Sequence, residues 1–125
     1  MEQLNWDKYS PLYPHEFDSP DEVGSHKNMK PSFMQKLKEA RDISSTPFII
    51  NSGHRTREHN RRVGGKADSS HLDGFACDIA CSNSRQRAII LSSVIRAGFN
   101  RIGIGDTFIH VDNDPSKPKN VFWMY

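Results

Sequence analysis

The chain has 125 residues, 35% hydrophobic and 26% charged, with 17 basic and 15 acidic side chains and a formal net charge of +2. That length supports one domain, residues 1–125, with a core that needs no disulfide staples, and the composition fits a soluble globular chain rather than a disordered one. The near balance of charge gives no case for nucleic acid as a partner, and no apolar run reaches the roughly 20 residues of a membrane helix.

The opening MEQLNWDKYSPLY lacks the basic-then-apolar layout of a secretory signal, so the chain is expected to be made in the cytoplasm and to act outside only after release. Residues 1–31 are rich in Pro, Asp, Tyr and Phe without periodicity, and are expected to wrap the surface as loop, anchored by Trp6 and Phe17. Pro31 and Ser32 then open a helix in which Phe33, Leu37 and Ala40 recur at helical spacing, as do Met34 and Leu37. PFIIN (47–51) reads as a short apolar strand. Thr56 can cap a short helix, REHNRRV, that Gly64 and Gly65 end.

GFACDIAC (74–81) reads as a strand and SNSRQRAIILSSVIRAG as a helix, with Ser82 or Ser84 as its cap and Gly98 as its stop. RIGIG and TFIHVD supply further strands, NDPSKPKN a turn, and VFWMY a last strand. Strands that alternate irregularly with helices imply an α+β fold, a small sheet flanked by helices.

Strand side chains point to opposite faces in turn. In GFACDIAC this puts Phe75, Cys77, Ile79 and Cys81 on a greasy face, where both cysteines are inert buried thiols. The other face holds Ala76, Asp78 and Ala80, so that a carboxylate stands in an open slot, costly unless paired or bound to a metal. His71 lies just before this strand, across the Asp73-Gly74 turn, and can fold back toward the slot. In DTFIHVD, Ile109 and Val111 face one way, and Asp106, Phe108, His110 and Asp112 the other. Two imidazoles and one carboxylate form a three-ligand set that leaves a fourth zinc position to water, the catalytic pattern.

Three stretches in order, SGHRTREHNRRVGG, SSHLDGFACDIAC and RIGIGDTFIHVD, resemble the zinc D-alanyl-D-alanine carboxypeptidase family, which includes phage endolysin peptidases and shares its fold with the hedgehog signalling domain. The opening EFDSPDEVGSHKNM and closing PKNVFWMY are similar to short phage-type members, so the resemblance covers nearly the whole chain. Its S-x-H-x-x-G-x-A-x-D pattern occupies Ser69 to Asp78. The resemblance implies a small antiparallel sheet in a hedgehog/DD-peptidase-like fold, zinc held by His71, Asp78 and His110, and substrate bound by Arg55 and Ser70. A guanidinium suits that task, since it can grip a carboxylate or an oxyanion with two parallel hydrogen bonds.

One departure concerns the general base. Many relatives carry Glu or Asp three residues before the last zinc histidine, where this chain has Thr107; others carry a second histidine two before it, where this chain has Phe108. Alternation leaves Asp112 and Asp106 as candidate catalytic carboxylates, with Asp112 alternatively orienting a ligand. The implied activity is zinc-assisted hydrolysis of a peptide bond in the stems or cross-links of peptidoglycan by a monomer, acting on the cell wall in a phage or prophage setting. Two rival readings are a zinc-binding module of the same fold without catalysis, and a metal-dependent nuclease built on His54, His59 and Asn60. His54 and His59 are otherwise expected at the surface or in the substrate cleft, and His15 and His26 in the N-terminal loop carry no mark of ligands.

Overall fold

A computed structural model describes residues 4–125; the first three residues of the N-terminal segment, and that part of the signal-peptide reading, lie outside the described residues. The rest of the segment does wrap the core, through three short 3-10 turns at Trp6–Tyr9, Pro14–Phe17 and Ser25–Asn28. Phe17 is fully buried and Trp6 packs partly buried against the same core, so both act as the anchors the sequence suggests. Helix α1 (Pro31–Ser44) starts with Pro at its first position, where the missing N–H costs nothing. It buries Phe33, Met34, Leu37 and Ala40, the stripe read from the sequence.

Strand β1 (Ile50–Ser52) is shorter than the PFIIN run. The capped helix α2 (Arg57–Arg62) follows, with the Thr56 side chain accepting from the His59 N–H. Strand β2 (Ala76–Ala80) leads to helix α3 (Ser84–Arg96). Its cap is Asn83, not Ser82 or Ser84: the Asn83 side chain accepts from the Gln86 N–H, while Ser82 binds the Gln86 side chain. Strands β3 (Arg101–Ile104), β4 (Phe108–Asp112) and β5 (Val121–Met124) complete a five-stranded sheet of order β1-β2-β4-β3-β5.

The fold is α+β, as expected, but the sheet is mixed rather than antiparallel. Strands β1, β2, β4 and β3 pair antiparallel, and β5 joins β3 in parallel. The cause is topological. The turn after β4 reverses the chain, yet β4 already has β2 and β3 on its two sides, so β5 pairs one strand further out, where the reversed direction is parallel.

One face of the sheet carries Cys77, Ile79, Ile102, Ile109 and Val111, all fully buried with Phe33, Leu37, Ile90 and Val94 of α1 and α3 in one core. Both cysteines are free and buried, as their position on this face requires. Among the described residues, no helix is long and apolar enough to cross a membrane.

Candidate active site

The opposite face holds the polar residues, and strand register sets their places. Cross-strand partners run in one row: Ser52 opposite Asp78, Asp78 opposite His110, His110 opposite Gly103, and Gly103 opposite Trp123. His71 enters this row from the loop before β2. Its Nδ1 donates to the Gly53 carbonyl at 2.7 Å, which leaves Nε2 free and 3.3 Å from Asp78 Oδ1. His110 approaches the same oxygen from β4, Nδ1 to Oδ1 at 2.9 Å. The three ligand atoms all lie within 4.8 Å of one another. Ligands about 2.1 Å from a tetrahedral ion stand about 3.4 Å apart, close to the 3.3 Å between His71 and Asp78 and wider than the 2.9 Å between His110 and Asp78.

The surroundings fix each member of this trio. His110 Nε2 meets Asp112 Oδ2 at 2.8 Å, and Asp112 Oδ1 accepts from Arg101 Nε at 2.7 Å. Arg55 donates to Asp78 Oδ2 (3.3 Å), Ser52 Oγ (3.1 Å) and Asn60 Oδ1 (3.2 Å). One carboxylate oxygen of Asp78 is thus taken by a guanidinium, and the other faces both imidazoles. Behind His71, the carbonyl of Gly53 is itself held, because Phe17 packs so close that a Cβ on Gly53 would come within 2.7 Å of the Phe17 backbone.

Electrostatics follow from this wiring. Burial alone would raise the Asp78 carboxyl, but the hydrogen bonds and charges of His110 and His71 overcome it and hold it well below the usual range. Burial pulls His71 down, against the pull of Asp78. It also opposes a charge on His110, yet the bonds to Asp112 and Asp78 win and raise that imidazole. Asp112, 2% exposed, would be raised by burial but is kept low by His110 and Arg101. A buried, preformed set of two imidazoles and a carboxylate, each locked by a further hydrogen bond, fits a divalent metal ion.

The trio opens into a cleft of about 610 Å³, lined also by Arg55, Ser69, Ser70, Arg101, Trp123 and Tyr125. The structure therefore brings together His71, Asp78, His110, Arg55, Ser70 and Asp112. The Ser70 hydroxyl is engaged, donating to Asp114 (2.8 Å) and accepting from Lys117 Nζ (2.9 Å). Asp106 is placed differently from the sequence reading. Strand alternation begins only at Phe108, so Asp106 stands exposed in the β3–β4 turn, outside the cleft lining, and its carbonyl accepts from Arg87.

His54 and His59 also miss the cleft. His54 is buried, its Nε2 on the Leu72 carbonyl, where it ties the loop after β1 to the loop before β2. Asn60 bridges Arg55 and the Lys66 carbonyl. His26 is paired with Asp18 at 2.7 Å.

Sequence reasoning missed Arg101, Lys117, Asp114 and the aromatic pair Trp123 and Tyr125. Their signal is faint, since the first three read as ordinary surface charges and the pair as the end of an apolar strand.

A family model for peptidase M15 matches residues 15–112. The chain belongs to the peptidase M15 family. The match spans Arg55, His71, Asp78, His110 and Asp112, and it stops before β5. M15 peptidases are metal-dependent, in keeping with the only His/Cys/Asp/Glu trio of metal-binding geometry among the described residues. No curated protein matches the chain.

Proposed function

We propose that this M15 peptidase is a zinc enzyme that hydrolyses a peptide bond in bacterial peptidoglycan, as a carboxypeptidase or an endopeptidase. The observation that carries the reading is the convergence of His71 Nε2, His110 Nδ1 and Asp78 Oδ1 at the floor of an open cleft. Two imidazole nitrogens and one carboxylate oxygen, with no thiolate, are a donor set suited to catalytic zinc. When bound there, zinc would lower the pKa of a water and polarise the scissile carbonyl.

The chain's own groups would do the rest. Asp112 holds the His110 ring so that Nδ1 faces Asp78, which makes it a positioning residue in this reading. Arg55 is held by three acceptors at the edge of the cleft, with a fork suited to a substrate carboxylate or a developing oxyanion. Arg101, Lys66 and Lys117 add positive charge to the lining, which suits the carboxylates of wall peptides. We place the protein as a monomer acting on the cell wall after release from the cell that makes it.

Zinc-loaded protein incubated with purified cell wall, followed by mass spectrometry of the released muropeptides, tests the reading and identifies the bond. Loss of both zinc and cleavage in His71→Ala and His110→Ala is the expected result. Full cleavage by either variant would remove the metal centre from the mechanism.

A second reading, a zinc-binding module without catalysis, draws on one observation. Asp78 and Asp112 are the carboxylates lining the cleft, and both are engaged. Stoichiometric zinc with no muropeptide released would favour it.

A further inference from the structure

The hydrogen-bonding groups of the cleft divide into those already engaged and those turned outward. Asp78 and Asp112 hold the histidines and arginines, Ser70 donates to Asp114, and Lys117 donates to Ser70 and the Asp68 carbonyl. Lys66 is exposed in the loop after α2. Thr107, where many relatives of the resembled family carry an acid, is exposed and does not line the cleft.

Tyr125 is different. It extends the parallel pairing of β5, its N–H bonded to the Ile104 carbonyl at 3.0 Å, so its side chain falls on the cleft face two residues beyond Trp123. Its ring lies against Phe108, centroids 4.9 Å apart, and at right-angle-like tilt to Trp123 at 6.3 Å. Trp123 in turn packs on His110 at 5.5 Å and under the Arg101 guanidinium at 5.2 Å. Gly103 makes room for this wall: a Cβ there would come within 2.6 Å of both the Trp123 and Tyr125 rings.

Tyr125 lines the same cleft as Asp78, Arg55 and Asp112, with the Trp123 ring beside it. A phenol carries one O–H donor, and Tyr125 brings it to this wall of the cleft. A phenol's ordinary pKa of about 10 already keeps that proton in place at neutral pH. Trp123 and Tyr125 lie beyond the span matched by the family model.

We propose that Tyr125 is a catalytic residue: its O–H donates a hydrogen bond to the carbonyl oxygen of the peptide bond being cut, and supports the negative charge that gathers there. The proton stays on the phenol throughout. The inference rests on the peptidase reading of this cleft. Tyr125 stands one residue past β5 and is 66% exposed, but its N–H is tied to Ile104 and its ring is braced by Phe108 and Trp123, which limits the reorganisation such stabilisation must avoid.

The test compares zinc-loaded full-length wild type and Tyr125→Phe on a defined muropeptide, with inhibition by a phosphinate analogue of the same peptide as a tetrahedral mimic. Phenylalanine keeps the ring packing and removes only the hydroxyl. The expected result is a fall in kcat of at least about tenfold, since single oxyanion donors are worth roughly 10²–10³. KM and zinc content should stay unchanged, and phosphinate binding should weaken in step with kcat/KM. A kcat within about twofold of wild type, or a loss confined to KM, overturns the role of Tyr125 and leaves the peptidase reading intact. A wild-type protein that binds zinc and cuts no muropeptide overturns the peptidase reading, and this inference with it.

Discussion

Replacing Asp112 by asparagine tests the wiring of the site with the smallest change in shape. Asp112 accepts from His110 Nε2 at 2.8 Å and from Arg101 Nε at 2.7 Å, and is 2% exposed, so water cannot stand in for either bond. The amide keeps one oxygen. If that oxygen serves Arg101, the new NH₂ faces His110 Nε2, and two donors meet. The imidazole must then carry its proton on Nδ1, the nitrogen that faces Asp78, and loses the lone pair a metal needs there. The reverse orientation sets the NH₂ against a guanidinium whose side chain is only 11% exposed, which is worse.

The first consequence is a loss of about 10–100-fold in metal affinity, or about 1.4–2.7 kcal/mol. The second is a loss of about 3 kcal/mol of stability, because a buried arginine is left without its counter-charge. Chelator competition on the folded variant reads the first, and urea unfolding of the metal-free protein reads the second. Asp112→Asn with native circular dichroism and wild-type metal affinity would refute the role of Asp112 in holding His110.

Three further outcomes follow from other parts of the molecule. Gly53→Ala puts a Cβ within 2.7 Å of the Phe17 backbone and must shift the carbonyl that holds His71 Nδ1, so metal affinity should fall although every ligand is present; unchanged chelator competition would count against that link. Cys77 and Cys81 are buried, and burial pushes the Cys77 thiol up, so neither should react with a thiol reagent until urea unfolds the chain. Burial would raise the Asp18 carboxyl, but the N–H groups of His26 and Gly24 and the His26 ring hold it below its ordinary 3.8. A depressed folded value means stability that is present above the ordinary aspartate value and is lost as pH falls from there through the lower folded value. Asp18→Asn should therefore cost about 1.5 kcal/mol at pH 7 and show a shallower loss of its urea midpoint on acidification than wild type.

The centre of the site was legible because its residues obey the two-residue period of a strand. Asp78 among alanines and His110 among Ile109 and Val111 stand out as polar residues on faces of known direction, and β2–β4 register sets them opposite each other. Asp106 shows the limit of the same rule. A tight turn breaks the alternation before Phe108, and nothing local in DTFIHVD marks where the strand starts. The Asn83 cap was missed for a similar reason, since three cap-forming residues stand in a row and only the geometry of the loop chooses among them. The Ser70–Asp114–Lys117 cluster joins residues 44 and 47 positions apart, a distance over which periodicity carries no information.

The direction of β5 was the harder matter, and the cleft depends on it. VFWMY reads as a strand from its composition, but a hairpin partner of β4 would have been the simplest guess, and no local signal distinguishes the two. With β4 flanked on both sides, β5 is displaced to the outer edge of β3, and register there sets Trp123 level with Gly103 and His110. Gly103 is the residue that makes the displacement useful. A side chain at that point would fill the space between the histidine and the aromatic wall, whereas its absence lets Trp123 lean across onto the imidazole and brings Tyr125 over the same opening. The sheet thus supplies both halves of the cleft from one row of paired residues: ligands on the inner strands, and an aromatic wall on the edge strand, with a glycine as the gap between them.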